Sequence, residues 1–299
     1  MNQEREKSSL ILDRYTQQEL VTPKGEGFYM LFDSEGYYRK RVEEWRNAPV
    51  EIIKYDAGAI IINNGDSSRL ITYAAGKRMV IGEKQVMDTC ELPWVKKTVD
   101  EAFKQTANRR KEQGLRNKPI DVLDVGFGLG LVADEVLKRK VGNYTSIELN
   151  KQVLQRAGRW KKRMEKQDVQ TKIEILPGEA GTILNELVED GKKFDIIISD
   201  TYPLIKGEAG FNDLKYMDLI TMLLKPSGVF GFFPFYQDAA EGTEGKLTHE
   251  QAEEITKYFD RYTRDSASVR PSKDYKYLQT SKGWVLELPV VVASMLKAV

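Results

Sequence analysis

Little sulfur chemistry and almost no imidazole are available to this chain: Cys90 is its only cysteine and His249 its only histidine. One thiol cannot close an intramolecular disulfide or build a thiolate metal cluster, so covalent staples and structural zinc drop out as organising devices. Cys90 reads as packing rather than as a nucleophile. His249 lies in KLTHEQAEEITKYF, where Thr248 followed by Gln251 forms a capping box, so an amphipathic helix is predicted with His249 on its surface. Proton transfer by this protein must then rely on carboxylates, tyrosines or lysines.

An excess of charge of one sign is also missing. The 46 Lys and Arg side chains against 45 Asp and Glu leave a net charge of +1, which argues against nucleic acid as a partner. The basic runs RWKKRMEK and NRRKEQG carry interleaved acids and read as solvated helix faces. No apolar run approaches the roughly 20 residues of a membrane span, and MNQEREKSSL lacks the layout of a signal peptide. The expectation is a cytoplasmic protein without membrane contact. Repeats and low-complexity linkers are absent, and 299 residues at 41% apolar composition can bury a full core.

Residues 1–50 are charged and patchily aromatic, with SEGYYRKRVEEWRNAPV predicting a turn and a short helix that stops before Pro49. Runs of β-branched residues broken by Gly, Asn and Asp predict a small hairpin or meander over about 52–87. A helix of about 20 residues follows from Glu91 to near Gly114. Then strands (IDVLDVGF, NYTSIEL, TKIEILPG, FDIIISD, GVFGFFPFY) alternate with helices (GLVADEVLKRK, KQVLQRAGRWKKRMEK, AGTILNELVED, DLKYMDLITMLL). This alternation predicts an α/β fold with a mostly parallel sheet covered by helices on both faces. YKYLQTSKGWVLELPVVV reads as two last strands forming an antiparallel edge.

In VLDVGFGLGLV, Gly126, Gly128 and Gly130 leave a strand and enter a helix, so backbone can approach a ligand closely. The next strand ends in Glu148, 18 residues after Gly130, where a carboxylate can accept from both hydroxyls of a ribose. Glycines that merely turn the chain, with Glu148 a solvated strand end, remain open at this point. A nicotinamide enzyme would prefer Gly-x-Gly-x-x-Gly, and here the third glycine comes one residue early. The strand FDIIISD ends in Asp200, and a doubly wound sheet gathers such strand ends in its ligand crevice. Taken alone, Glu91 reads as a charge complementing the dipole of the helix it opens.

The pattern of DVGFGLG resembles the first motif of class I S-adenosylmethionine-dependent methyltransferases. Together with DTYPL after the fourth strand and IGEKQVMDTCELPWV upstream, it resembles guanidinoacetate N-methyltransferase and its relatives, including fungal protein-arginine and bacterial arginine N-methyltransferases. LLKPSGVF and YKYLQ fit more loosely, and the resemblance covers residues 76–298. It implies a Rossmann-like class I fold with a seven-stranded sheet over 76–299, and leaves 1–75 as an N-terminal extension. That extension reads as a lid or as a dimerisation element, the latter implying a homodimer.

The resemblance further implies S-adenosyl-L-methionine as cofactor, S-adenosyl-L-homocysteine as product, no metal, and a small guanidino substrate, free L-arginine or a related compound. Met87, Asp124, Gly126, Phe127, Gly128, Gly130, Glu148, Leu149, Glu179, Ala180 and Asp200 would line the cofactor site. Asp200 would accept the proton and Glu91 would orient the guanidinium, with Thr201, Tyr202, Phe235 and Tyr236 beside the substrate. A peptidyl arginine is the second acceptor. An aminopropyltransferase of the polyamine synthase type is the alternative reaction, although its Asp-x-x-Asp at the fourth strand is not supplied by Thr201-Tyr202-Pro203.

Overall fold

The computed structural model of the chain describes residues 34–64, 67–115, 118–167, 170–201, 216–233, 249–270, 279–280, 283–284 and 287–296. Helix α1 (Ser34–Asn47) stops two residues before Pro49, as the sequence predicts. Strand β1 (Val50–Tyr55) pairs antiparallel with β4 (Gly76–Ile81), and β4 with β5 (Lys84–Asp88). Strands β2 (Gly58–Asn64) and β3 (Ser67–Tyr73) form a separate hairpin, so the predicted hairpin and meander both exist. A 3-10 turn, Thr89–Glu91, leads into helix α2 (Leu92–Glu112); a proline in its first turn needs no N–H there, and Gly114 at φ +71° ends it.

The alternating region comprises β6 (Asp121–Val125), α3 (Leu131–Leu137), β7 (Asn143–Glu148), α4 (Lys151–Lys166), β8 (Lys172–Pro177), α5 (Ala180–Glu189), β9 (Phe194–Ser199), α6 (Met217–Leu223) and β10 (Leu224–Phe232). Helix α7 (His249–Tyr258) and strands β11 (Phe259–Ser268), β12 (Gln279–Thr280), β13 (Gly283–Trp284) and β14 (Glu287–Leu296) complete the described chain. The capping residue Thr248 lies outside the described residues.

Seven strands form the main sheet in the order β11-β14-β10-β9-β6-β7-β8. Strands β10, β9, β6, β7 and β8 run parallel, whereas β14 runs antiparallel to both β10 and β11, so the sheet is mixed. The expected antiparallel edge is corrected in two respects. Strand β14 lies inside the sheet, and the edge is β11, a strand the sequence conceals because DRYTRDSAS alternates few apolar residues. An edge strand covers little core and can afford that polarity. Of the other predicted terminal strand, the described residues hold the β12–β13 ribbon.

Successive residues of the central strands feed opposite faces, as period-2 geometry requires. Val122, Ile196, Ile198 and Val229 pack with Trp94, Val99, Val132 and Trp160 of α2, α3 and α4. Leu123, Ile197, Phe230 and Phe232 pack with Leu184, Met217, Ile220 and Ile255 of α5, α6 and α7. Each fully buried Leu, Ile or Phe contributes about 1.5–3 kcal/mol, so a sandwich of this extent readily fixes the strand ends.

At the opposite end of the strands, Arg110 of α2 pairs with Asp195 at 2.7 Å, and Lys225 reaches Asp195 at 2.7 Å and Asp121 at 2.6 Å. Arg110 is therefore a buried clamp, and the solvated-face reading of NRRKEQG fails at that residue.

The register places the strand ends in line. Val125 stands beside Ser199, and Ser199 beside Phe232, so the next residues Gly126, Asp200 and Phe233 emerge side by side. Ile147 is level with Val125, which brings Glu148 to the same rim.

Candidate active site

The glycine turn is shaped by what lies against it. Gly126 has φ +97°, and a Cβ there would stand 2.5 Å from the backbone oxygen of Asp200. At Gly128, φ +52°, a Cβ would meet the Met87 sulfur at 2.9 Å. These two positions need glycine both for backbone conformation and for room. Met87 Sδ also accepts from Leu129 N at 3.2 Å, which ties the β4–β5 meander to the turn.

Glu148 holds the turn from its other side. Its Oε2 accepts from Phe127 N at 3.2 Å and Gly128 N at 3.3 Å, and its Oε1 from Asn150 N at 2.8 Å. Burial raises the pKa of this carboxyl while these backbone donors lower it, and the balance is upward. Asp124, fully buried below the turn, accepts from the Tyr144 hydroxyl. Burial pushes Asp124 well above the usual carboxylate range, Tyr144 opposes this, and the neighbouring charges of Asp200 and Glu148 add to it.

A cleft enclosing roughly 740 Å³, its open mouth included, runs along these strand ends. It gathers Met87, Gly126, Gly128, Glu148, Leu149, Glu179, Ala180, Asp200 and Thr201, all expected from the sequence. Asp124, Phe127, Gly130 and Glu91 are not among its described lining residues. Phe127 is buried against Trp160, and Gly130 caps α3 at φ +82° with the Phe127 ring over it. Glu91 is 4% exposed at the start of α2, where its side chain makes no capping hydrogen bond. Tyr202, Phe235 and Tyr236 lie outside the described residues.

Several lining residues carried no signal in the sequence. Trp45 comes from α1, Met79, Ile81 and Val86 from the meander, and Tyr216 from the residue before α6. Only the pairing of β1 with β4 and the packing of α1 near α4 bring the first group here. Asn150 does the latter: its amide donates to Trp45 O at 2.8 Å and Ala48 O at 2.9 Å, while its oxygen caps α4. At the far end of the cleft, Glu179 caps α5 and accepts from Tyr38 and Tyr216.

The described lining holds three carboxylates, Glu148, Glu179 and Asp200, and no Lys, Arg or His. Three carboxylates suit a ligand with hydroxyls and positive charge. Among the described residues no helix is long and apolar enough to cross a membrane.

A sheet of this order with a glycine turn leaving its central strand is a Rossmann-like frame. The spermidine synthase from Thermotoga maritima shares that fold, with a TM-score of 0.51 and 16% identity over 79% of this chain and 72% of that one. More closely, the guanidinoacetate N-methyltransferase family model matches residues 72–266, and the chain belongs to that family of S-adenosylmethionine-dependent enzymes. Protein arginine N-methyltransferase 2 of Kluyveromyces lactis is 34% identical over 115 residues, and that of Eremothecium gossypii is 31% identical over 115 residues. Those stretches cover 38% of this chain, and they span only 26% and 25% of the two yeast proteins.

Proposed function

We propose that the protein transfers a methyl group from S-adenosyl-L-methionine to a guanidino nitrogen of a small molecule, free L-arginine or a related compound. The observation that carries this is the meeting of Gly126, Glu148 and Asp200 in one acidic cleft without a basic side chain among its described lining, inside a chain of the guanidinoacetate N-methyltransferase family.

The residues fit the cofactor on their own chemistry. Glu148 at the rim of β7 can take a ribose hydroxyl on Oε1, beside the bond from Asn150 N, Gly126 and Gly128 leave backbone open to approach, and Trp45, Ile81 and Ala180 offer apolar walls to a flat base. Met87 and the carboxylates suit the cationic end, and Asp124 holds the turn from beneath. When bound, S-adenosylmethionine supplies a methyl group activated by its sulfonium charge.

The chain's own part is to hold the guanidinium and remove its proton. A guanidinium keeps its protons to above about pH 12, and its nitrogen lone pairs are delocalised, so a base must accept a proton as the nitrogen becomes a nucleophile. Asp200 is that acceptor in this reading. Its backbone is fixed by the hydrogen bond from Asp200 N to Val125 O at 3.0 Å, so the carboxyl starts from a rigid strand end. A carboxylate also matches the planar fork of guanidinium donors, and Glu91 orients the group from the α2 side. Thr201, with Tyr202, Phe235 and Tyr236, borders the acceptor. Placement of the reacting groups supplies most of the acceleration and requires no metal.

Residues 76–299 form the methyltransferase domain in this proposal, and 1–75 an extension with two uses. Trp45 supports a lid, and the exposed cross-strand pair Ile61 and Leu70 supports a homodimer contact. The names of the yeast relatives favour a peptidyl arginine as the second acceptor. To test the reaction class, the enzyme is offered S-adenosylmethionine with arginine and decarboxylated S-adenosylmethionine with a diamine. Methyl transfer without aminopropyl transfer is expected; aminopropyl transfer alone would overturn the proposal.

A further inference from the structure

Glu179 lines the cleft next to Ala180, where an acid could accept from the amino group of the adenine. Its hydrogen bonds contradict that assignment. Oε1 accepts from Tyr38 Oη at 2.9 Å and Tyr216 Oη at 2.5 Å, and Oε2 from Thr182 N at 2.9 Å and Thr182 Oγ1 at 3.2 Å. A carboxylate offers about four lone-pair sites, so four donors already fill this one. Burial would raise its pKa, yet the donors, Tyr216 first, hold it below the ordinary value, which keeps it an anion that retains them.

The three residues come from separate parts of the chain. Tyr38 lies on α1 seven residues before Trp45, hence on the same helix face, and Trp45 lines the cleft. Tyr216 lines the cleft just before α6. Its ring lies so close to the first turn of α5 that a Cβ on Gly181 would come within 2.7 Å of it. The two phenol oxygens are 3.4 Å apart on the one carboxylate oxygen.

We infer that Glu179 is a positioning residue, a buckle that holds Tyr38 and Tyr216 over the base end of the cofactor cleft and does not itself read the adenine amino group. The inference rests on the cofactor reading above. Cofactor affinity then depends on the buckle through the placement of α1 and Tyr216, and discrimination in favour of the amino group comes from elsewhere.

The test is titration calorimetry of S-adenosylhomocysteine and of its analogue lacking the 6-amino group, on wild type, Tyr38→Phe, Glu179→Gln and Gly181→Ala. Loss of one such hydrogen bond is expected to weaken binding about 5- to 10-fold. Tyr38→Phe and Glu179→Gln should weaken both ligands by the same factor, leaving the preference for the amino compound unchanged. Gly181→Ala should also weaken both, although alanine favours the helix there. Because Glu179→Gln removes a helix cap, Tyr38→Phe, which keeps the cap, serves if the first variant fails to fold. Loss of the amino-group preference in Glu179→Gln would overturn the inference, as would wild-type affinity in Tyr38→Phe. Failure of the wild type to bind S-adenosylhomocysteine at all would overturn the cofactor reading instead, and this inference with it.

Discussion

Gly126 and the backbone carbonyl of Asp200 are in such close contact that a single added carbon would stand 2.5 Å from the oxygen. The glycine turn and the proposed base are therefore one mechanical unit, also joined by the hydrogen bond from Asp200 N to Val125 O. Gly126→Ala must relieve both this overlap and a φ of +97°. Strain of that kind costs about 1–3 kcal/mol. The expected outcome is a lower urea midpoint together with a loss of turnover larger than the loss of cofactor affinity, because Asp200 moves. Kinetics and calorimetry on the same preparation check the ratio.

Glu148 has two tasks, holding the turn through Phe127 N and Gly128 N and meeting the ribose. Glu148→Ala leaves the N–H groups of Phe127 and Gly128 without their acceptor, a loss of about 1–3 kcal/mol in stability. Cofactor affinity should fall at least tenfold before any change in the acceptor KM becomes visible. An unchanged affinity would remove Glu148 from the site.

Much of this unit was legible in the chain itself. The spacing of Gly126, Gly128, Gly130, Glu148 and Asp200 along alternating strands and helices is local information, and parallel register converts it into a common rim. Trp45 and Tyr38 were not legible, because they arrive through the β1–β4 pairing, whose partners lie 21 to 31 residues apart, and the Asn150 bridge to Trp45 O, 105 residues apart, contacts that leave no periodic trace. Strand β11 stayed hidden for a different reason: an edge strand buries little, so its sequence lacks the apolar alternation on which a strand prediction depends.

Trp45 gives a direct test of the lid. Trp45→Ala removes an aromatic wall from the cleft while leaving the Asn150 bond to the residue's backbone oxygen in place. An aromatic contact of this kind contributes about 0.5–1.5 kcal/mol beyond the area it buries, so cofactor binding should weaken about tenfold. Turnover at saturating cofactor should change less. Equal affinities for variant and wild type would place α1 outside the cofactor site.

Asp124 and Glu148 give the site a pH dependence. Both have pKa values raised in the free protein, Asp124 chiefly by burial and then by Asp200 and Glu148, against the Tyr144 bond. In the window between the ordinary and the raised values the folded protein binds more protons than the unfolded chain, so stability falls as pH rises through it. A cationic ligand favours the anions and expels those protons, so its affinity rises with pH across the same window and levels above it. Sulfonium-bearing S-adenosylmethionine should gain more than S-adenosylhomocysteine. Titrations in buffers of different ionisation heat count the protons released; zero release for both ligands would contradict the shifts.

The central claim is that Asp200 serves methyl transfer to a guanidine. It is tested most directly by following labelled methyl from S-adenosylmethionine to arginine, guanidinoacetate, agmatine and an arginine peptide, with wild type and Asp200→Asn in parallel. The expected result is labelled product from at least one free guanidine with wild type, and transfer lost in Asp200→Asn while cofactor still binds. Intact cofactor binding with no label on any of the four, or an Asp200→Asn variant of normal rate, would contradict it.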